Sequence, residues 1–263
     1  MGWITVDHEL CAQDGVCMGV CSRDLIVADA DGYPVTVEWG EQTCTACGHC
    51  LSACPHGALT LRGVSPDECT TVESDGALGE DVVRSLIMGR RSVREFQERP
   101  VPRATIEWLL DTTRWAASAS NKQPVHWLVI DGREKVHALA GQVAEALRGR
   151  PGFELQVGAW DDGRDYILRD APHLILAYAM DQGPFAASDC AIAVTELDLA
   201  ARAIGVGGCW AGLFVGAASA PGPLRDGLQL PEGHKVFAGL MLGWPTYRYH
   251  RLPPRNALRV TWR

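Results

Sequence analysis

Cys44, Cys47, Cys50 and Cys54, the last followed by Pro55, carry the sharpest chemical signal in this sequence. The spacing C-x₂-C-x₂-C-x₃-C-P lets three thiolates wrap one face of an iron–sulfur cubane while the fourth points toward a neighbouring cluster. A zinc ribbon instead wants two C-x₂-C pairs set well apart. The ligand pattern therefore points to iron and sulfide. Upstream, Cys11, Cys17 and Cys21 repeat the pattern, with Asp14 where a second cysteine would stand. Asp14 has two readings. As a ligand, its hard carboxylate binds iron less firmly than a thiolate, giving either a [4Fe–4S] cluster with one Asp ligand or a [3Fe–4S] cluster. As the Asp of an Asp-Gly pair it is a turn residue with no metal contact.

A second chemistry begins at Arg90-Arg91-Ser92-Val93-Arg94. Guanidinium forks match phosphate, and the hydroxyl adds a donor; alone, the same run reads equally as a solvated charged face. The loop Ala117-Ser118-Ala119-Ser120-Asn121-Lys122-Gln123-Pro124 and the glycine-rich Gly205–Leu213 supply small residues and exposed backbone. Glycines there let backbone approach a ligand closely.

The elements that must position these residues follow from periodicity. Short apolar segments, Ile4–Asp7, Leu25–Val27 and Ala58–Leu61, flank the cysteine motifs, so residues 1–60 look like a degenerate duplication. Residues 64–80 are polar, acidic and aperiodic, and read as a linker. Beyond it, Asp81 is placed to cap a helix whose apolar face is Val82, Val83, Leu86 and Ile87. Pro102 opens another at its first position, with Ile106, Leu109 and Leu110 on one side. A strand is expected at His126–Asp131, a helix at Glu134–Leu147, and a buried strand at Pro172–Ala179. A long helix over residues 186–204 closes at Gly205, and a last strand spans Lys235–Leu242. Cys69, Cys190 and Cys209 have no ligand spacing and read as small buried hydrophobes.

With 263 residues and 47% apolar composition, the chain can bury a sizeable core in one large or two unequal domains. Net charge is −8, but residues 1–78 hold twelve acids against Arg23 and Arg62, leaving the rest slightly basic. That asymmetry suggests two domains with different tasks. No basic patch dense enough for nucleic acid appears, and no segment reads as a signal peptide or membrane span. Ten cysteines without a leader imply a cytoplasmic protein whose thiols stay reduced for metal.

Residues 3–62 resemble a two-cluster bacterial-type ferredoxin. If its crossover pattern applies, the resemblance implies that Cys21, Cys44, Cys47 and Cys50 hold one cluster. Cys11, Cys17 and Cys54 then hold the other, with Asp14 as fourth candidate. The ordered motifs R-R-S-V-R, S-A-S-N-K-Q-P, G-G-C-W-A-G and L-G-W-P…R-L-P-P-R resemble the FMN-dependent nitroreductase superfamily, in its branch with an N-terminal ferredoxin domain. This implies an α+β fold and a homodimer with FMN at the subunit interface. The domains expected are 1–63, the linker 64–80, and 81–263.

Carried over motif by motif, the resemblance assigns Arg90, Arg91, Ser92 and Arg251 to the FMN phosphate and ribityl chain. Arg94 falls beside the N1–C2 edge of the ring, and the backbone of Ala211 and Gly212 near N5. Ser118, Ala119 and Asn121 are expected from the partner subunit, with Gln123 as a neighbour. Val125 stands where the family usually has an aromatic after Gln-Pro, a departure that bears on the substrate pocket. The function implied is reduction of nitroaromatics or related electron-poor small molecules, with electrons relayed through the clusters. No side chain need act as acid or nucleophile, because the flavin carries the chemistry. A reduced ferredoxin-like protein or NAD(P)H would be the donor. The competing readings are an enone or quinone reductase with the same cofactors, and a flavin/iron–sulfur carrier or redox sensor.

Overall fold

Strands of three residues alternate with helices of four or five in the first sixty residues, because the ligand loops leave little room between turns. The computed structural model describes residues 3–72 and 78–263. In chain order the first elements are β1 (Ile4–Val6), α1 (Val16–Gly19), β2 (Ile26–Ala28), β3 (Pro34–Thr36), α2 (Gly40–Thr43), α3 (His49–Ala53) and β4 (Leu59–Leu61). β1 pairs antiparallel with β4, and β2 with β3. The duplication is an internal repeat with an offset of 33 residues: α1 matches α3, β2 matches β4, and the left-handed Gly15 (φ 74°) matches Gly48 (φ 78°). Both glycines stand immediately before a helix, where an L-residue would be strained.

The expected linker is in part structured. Val64 bridges to Leu61, and Pro66–Glu68 forms a 3₁₀ turn held by a Ser65–Glu68 capping box. Residues 73–77 of that stretch lie outside the described residues. Cys69 is exposed, not buried; its Sγ lies 3.6 Å from the carbonyl of Ser65. Two compact units result: Met1–Ala77 with Ser120–Lys122, and Leu78–Ala119 with Gln123–Arg263.

The second unit contains α4 (Glu80–Gly89), α5 (Arg103–Thr113), β5 (His126–Asp131), α6 (Arg133–Leu147), α7 (Glu154–Asp161) and β6 (His173–Met180), followed by α8 (Ala186–Ala203), β7 (Gly207–Trp210), α9 (Gly212–Ala218), α10 (Pro223–Gly227) and β8 (His234–Gly243). Its antiparallel sheet has the order β5-β6-β8-β7. β6 is apolar throughout because both faces are covered. Leu174 and Leu176 point into one core with α6 and α9, while Ile175, Ala177 and Ala179 point into the other with α5 and α8. Opposite the register shift at Ala177/Tyr178, the parity of β8 changes: Val236 joins the first core, Ala238 and Leu240 the second. One extra residue in a ladder inverts the alternation that precedes it.

Three local expectations are corrected. Gly79, not Asp81, occupies the N-cap of α4, and Pro102 is the N-cap of α5 rather than its first turn. On α4, Val82, Val83 and Ile87 are exposed with Met88, so its apolar side has no cover among the described residues. α7, α9 and α10 carry too little periodicity to be read from the sequence. Among the described residues no helix is long and apolar enough to cross a membrane.

Candidate functional site

The N-terminal unit brings the candidate metal ligands together in two cavities. Cys11, Asp14, Cys17 and Cys54 line one; Cys21, Cys44, Cys47 and Cys50 line the other. Each cavity therefore takes three groups from one half of the repeat and its fourth from the other. Backbone amides reach three of the sulfurs at 3.4 Å: Leu25 N–H to Cys21, Ala46 N–H to Cys44, and Ala58 N–H to Cys54. Burial pushes the Cys50 thiol up to about 11 and also raises Cys17, with amides at Leu51 and Met18 opposing. Without a cation these groups keep their protons near neutral pH; a bound metal displaces the proton from a coordinating thiol.

Asp14 is doubly placed. Its Oδ1 accepts the Val16 N–H at 3.0 Å, the turn bond expected of an Asp-Gly pair, and its Oδ2 lies 4.0 Å from His56 Nε2. A carboxylate has about four acceptor positions, so the turn bond leaves capacity for a metal.

In the C-terminal unit the arginine motif is extended and divides its side chains. Ser92 bridges in parallel to Gly208 of β7, and Val93 N–H donates to the Gly208 carbonyl at 2.9 Å. Arg90, Arg91 and Arg251 edge a groove of about 770 Å³, together with the backbone of Gly205–Gly208 and the tail from Trp244 to Leu252. Arg91 lies 5.9 Å from the centre of the Tyr249 ring. Ser92 and Arg94 act on Cys209 instead: burial raises that thiol, while the charges of Arg94 and Arg169 and the Ser92 hydroxyl pull it down.

Arg90 is anchored by Asp198, with Nη1 3.1 Å from Oδ2. Burial raises the Asp198 carboxyl and Arg90 opposes that rise. Gly208 must be glycine for this pair to fit, since a Cβ there would lie 2.5 Å from Asp198 Oδ1. Ala211, expected to offer backbone to a ring, donates its N–H to the Gly239 carbonyl at 2.8 Å. Gly212 opens α9 into free space, where first-turn amides have no partner within their helix.

Ser118 and Gln123 line a separate depression of about 200 Å³ with Arg114, Trp127 and Asp189. The Gln123 N–H donates to Ser118 Oγ at 2.9 Å, and the Ala119 N–H to the buried Asp189 Oδ1 at 3.0 Å. Among the described residues none lines both this depression and the arginine groove, so one chain does not gather the full expected set. Asn121 is placed elsewhere, in the N-terminal unit, where its side-chain amide donates to the carbonyls of Thr45 and Ala46. Ser120, Asn121 and Gln123 all have positive φ, a strain that persists only where surroundings over-determine it.

Sequence reasoning missed Asp198, Asp189 and Arg169. Asp189 and Asp198 were detectable as acids on the same helix as the apolar Cys190, Val194, Leu197 and Ala201. A buried carboxylate needs a partner, and its partner marks a site.

Comparison with known proteins agrees with this division. Residues 87–244 match the nitroreductase family, and residues 10–59 match the 4Fe-4S dicluster domain. The chain is 29% identical to a chloronitrobenzene nitroreductase of Comamonas testosteroni, over 62% of this chain and 86% of that protein. Its cysteine-rich part is 41% identical over 51 residues to one component of the Na(+)-translocating ferredoxin:NAD(+) oxidoreductase complex of Acetobacterium woodii. That stretch is 19% of this chain and only 14% of the component. A nitroreductase of Bacteroides fragilis solved with bound FMN shares the fold, with a TM-score of 0.59 at 22% identity, covering 70% of this chain and 100% of that one. The chain is thus an oxidoreductase of the nitroreductase family that carries an N-terminal 4Fe-4S dicluster domain.

Proposed function

We propose that the chain is an FMN-dependent reductase of nitroaromatic or related electron-poor small molecules, fed with electrons through two iron–sulfur clusters. The observation that carries this reading is the presence, in one nitroreductase-family chain, of two cysteine-lined cavities and an arginine-edged groove. The donor sets fit the groups: four soft or anionic ligands for each cluster, and cationic forks for a phosphate. Asp14 completes the first cluster set, as a fourth ligand or beside a [3Fe–4S] cluster. The Comamonas relative bears the name of a nitroarene reductase, which supports the substrate class. The Acetobacterium protein belongs to a complex named for electron exchange between ferredoxin and NAD(+), which supports a ferredoxin-like protein or NAD(P)H as donor.

When bound, FMN supplies the step between one-electron carriers and a two-electron acceptor, delivering a hydride equivalent. Arg90, held by Asp198, would bind the phosphate with Arg91, Arg251 and Ser92. Arg94 would place positive charge beside the ring, and Gly212 would offer an amide. Ser118, Ala119 and Gln123 would come from the second subunit of a homodimer. The uncovered apolar side of α4 supports such an assembly, since contiguous apolar surface usually marks an interface.

The test is anaerobic purification followed by visible and EPR spectroscopy, then mixing of the dithionite-reduced protein with a nitroarene. Cluster and flavin signals with rapid reoxidation of the flavin are expected. Absence of both chromophores sinks the proposal; reoxidation only by a protein acceptor would make the chain a carrier.

A further inference from the structure

The loop that holds Cys44 and Cys47 is tied at its carbonyls by side chains from distant parts of the sequence. Asn121 Nδ2 donates to Thr45 O at 3.2 Å and to Ala46 O at 3.1 Å. Arg62 donates to Glu41 O at 2.8 Å just before the loop. The peptide group joining Thr45 to Ala46 is engaged at both ends: its carbonyl accepts from Asn121, and its N–H points at Cys44 Sγ, 3.4 Å away. Ala46 also adopts φ 49°, a left-handed conformation that costs energy for a residue with a Cβ. Something must hold it there, and the two bonds from Asn121 do so.

A hydrogen bond to a peptide carbonyl polarises the same peptide's N–H and makes it a better donor. Donors to cluster sulfurs stabilise the more negative, reduced state and raise the reduction potential. Asn121, Thr45–Ala46 and Cys44 Sγ therefore form a two-bond relay ending on a ligand sulfur. The equivalent loop of the other cavity is secured differently. There Gln13 turns its amide outward to the Asp31 carbonyl at 2.8 Å, and Asp14 accepts the Val16 N–H. Asn121 lies far along the sequence, in the family's S-A-S-N-K-Q-P stretch, yet Ser120–Lys122 belongs to the N-terminal unit.

We propose that Asn121 is a positioning residue for the cluster held by Cys21, Cys44, Cys47 and Cys50, setting its potential through the Thr45–Ala46 peptide, and is not a flavin ligand. This rests on the reading of the cysteine cavities as cluster sites.

The experiment is an EPR-monitored redox titration of the full-length protein, loaded anaerobically, comparing wild type with Asn121→Ala and Asn121→Asp. Asp keeps the size of the side chain but cannot donate when ionised. In both variants one of the two cluster titrations should move to lower potential, by up to about tenfold in the reduction equilibrium, ~59 mV for a one-electron couple. The other should stay in place, and flavin content per chain should not change. Asn121→Gln, which retains the amide, should recover part of the shift. Unmoved titrations in both variants overturn the proposal, as does loss of flavin with both cluster potentials intact. Wild-type protein that binds no cluster overturns this proposal together with the cluster reading on which it rests.

Discussion

The N-terminal unit has strands of three residues and a core of Trp3, Cys17, Leu25, Ile26, Cys50, Leu51, Leu59 and Leu61. Two of those core members are candidate metal ligands. The C-terminal unit has strands of eight and ten residues, β6 and β8, covered on both faces by helices. One unit would draw its stability from ligands, as small metal domains do when binding energy is folding energy. The other draws it from buried apolar area. The difference teaches where each tolerates change: the first at its core residues but not its cysteines, the second at its surface arginines but not its sheet.

The largest effect should come from breaking that contrast at Cys50. Replacing it with Ser removes a thiolate and a core residue from a unit with little else to hold it. Cys50→Ser should lose the visible absorbance of its cluster and the amide protection of residues 3–61, measured by hydrogen exchange. Protection in β5, β6 and β8 should persist. Protection that survives in β1 and β4 of a cluster-free chain would show that the apolar core suffices.

Leu176→Ala is the converse. Leu176 is fully buried on β6, against Gly239 on β8. Its loss should cost about 2–5 kcal/mol, read as a lower denaturant midpoint for the C-terminal unit with the cluster absorbance of the N-terminal unit unchanged. A parallel fall in both would mean the two do not unfold separately.

The sequence disclosed these units unequally, for physical reasons. The cluster cavities were legible because ligand spacing is a local property, written in consecutive residues. β6 was legible because a strand buried on both faces must be apolar throughout. Asp198 was not legible as a partner of Arg90, since 108 residues separate them and only the fold brings them together. The same holds for Asn121. Its motif suggested a flavin contact, while its hydrogen bonds go to a loop some seventy-five residues earlier. Helices α7, α9 and α10 are short and pack small residues, so they lack the stripe that marks longer helices.

Gly208→Ala tests a smaller dependence, of the arginine groove on the sheet. The added methyl would meet Asp198 Oδ1 at 2.5 Å and both Leu240 methyls at 3.1 Å. Neither residue has room to retreat, as Asp198 and Leu240 are both buried. Overpacking of this kind costs about 1–3 kcal/mol, and displacement of Asp198 would loosen Arg90. A drop in melting temperature with a weaker flavin Kd is expected; normal flavin binding would show that the Asp198 anchor is dispensable.

The smallest effect is a pH dependence confined to the C-terminal unit. His173 begins β6 and is 1% exposed. Its Nε2 accepts the Val101 N–H at 2.9 Å, so the single ring proton sits on Nδ1. That atom lies 2.9 Å from Asp131 Oδ1, at a skewed angle that gives a charge contact rather than an aligned bond. Burial lowers the pKa of His173, and Asp131 opposes the fall. The unfolded imidazole takes up its second proton near pH 6.5. The folded ring resists to lower pH, because that proton would have to displace the Val101 bond. Below about pH 6.5 the unfolded chain therefore binds more protons, so this contribution is full above that value and is lost as pH falls. Asp131→Asn removes the opposing charge and should steepen the loss of the C-terminal unit's stability between pH 6.5 and acid, measured by chemical denaturation at a series of pH values. An unchanged slope would mean that the exposed Asp131 is screened by water and that burial alone governs the ring.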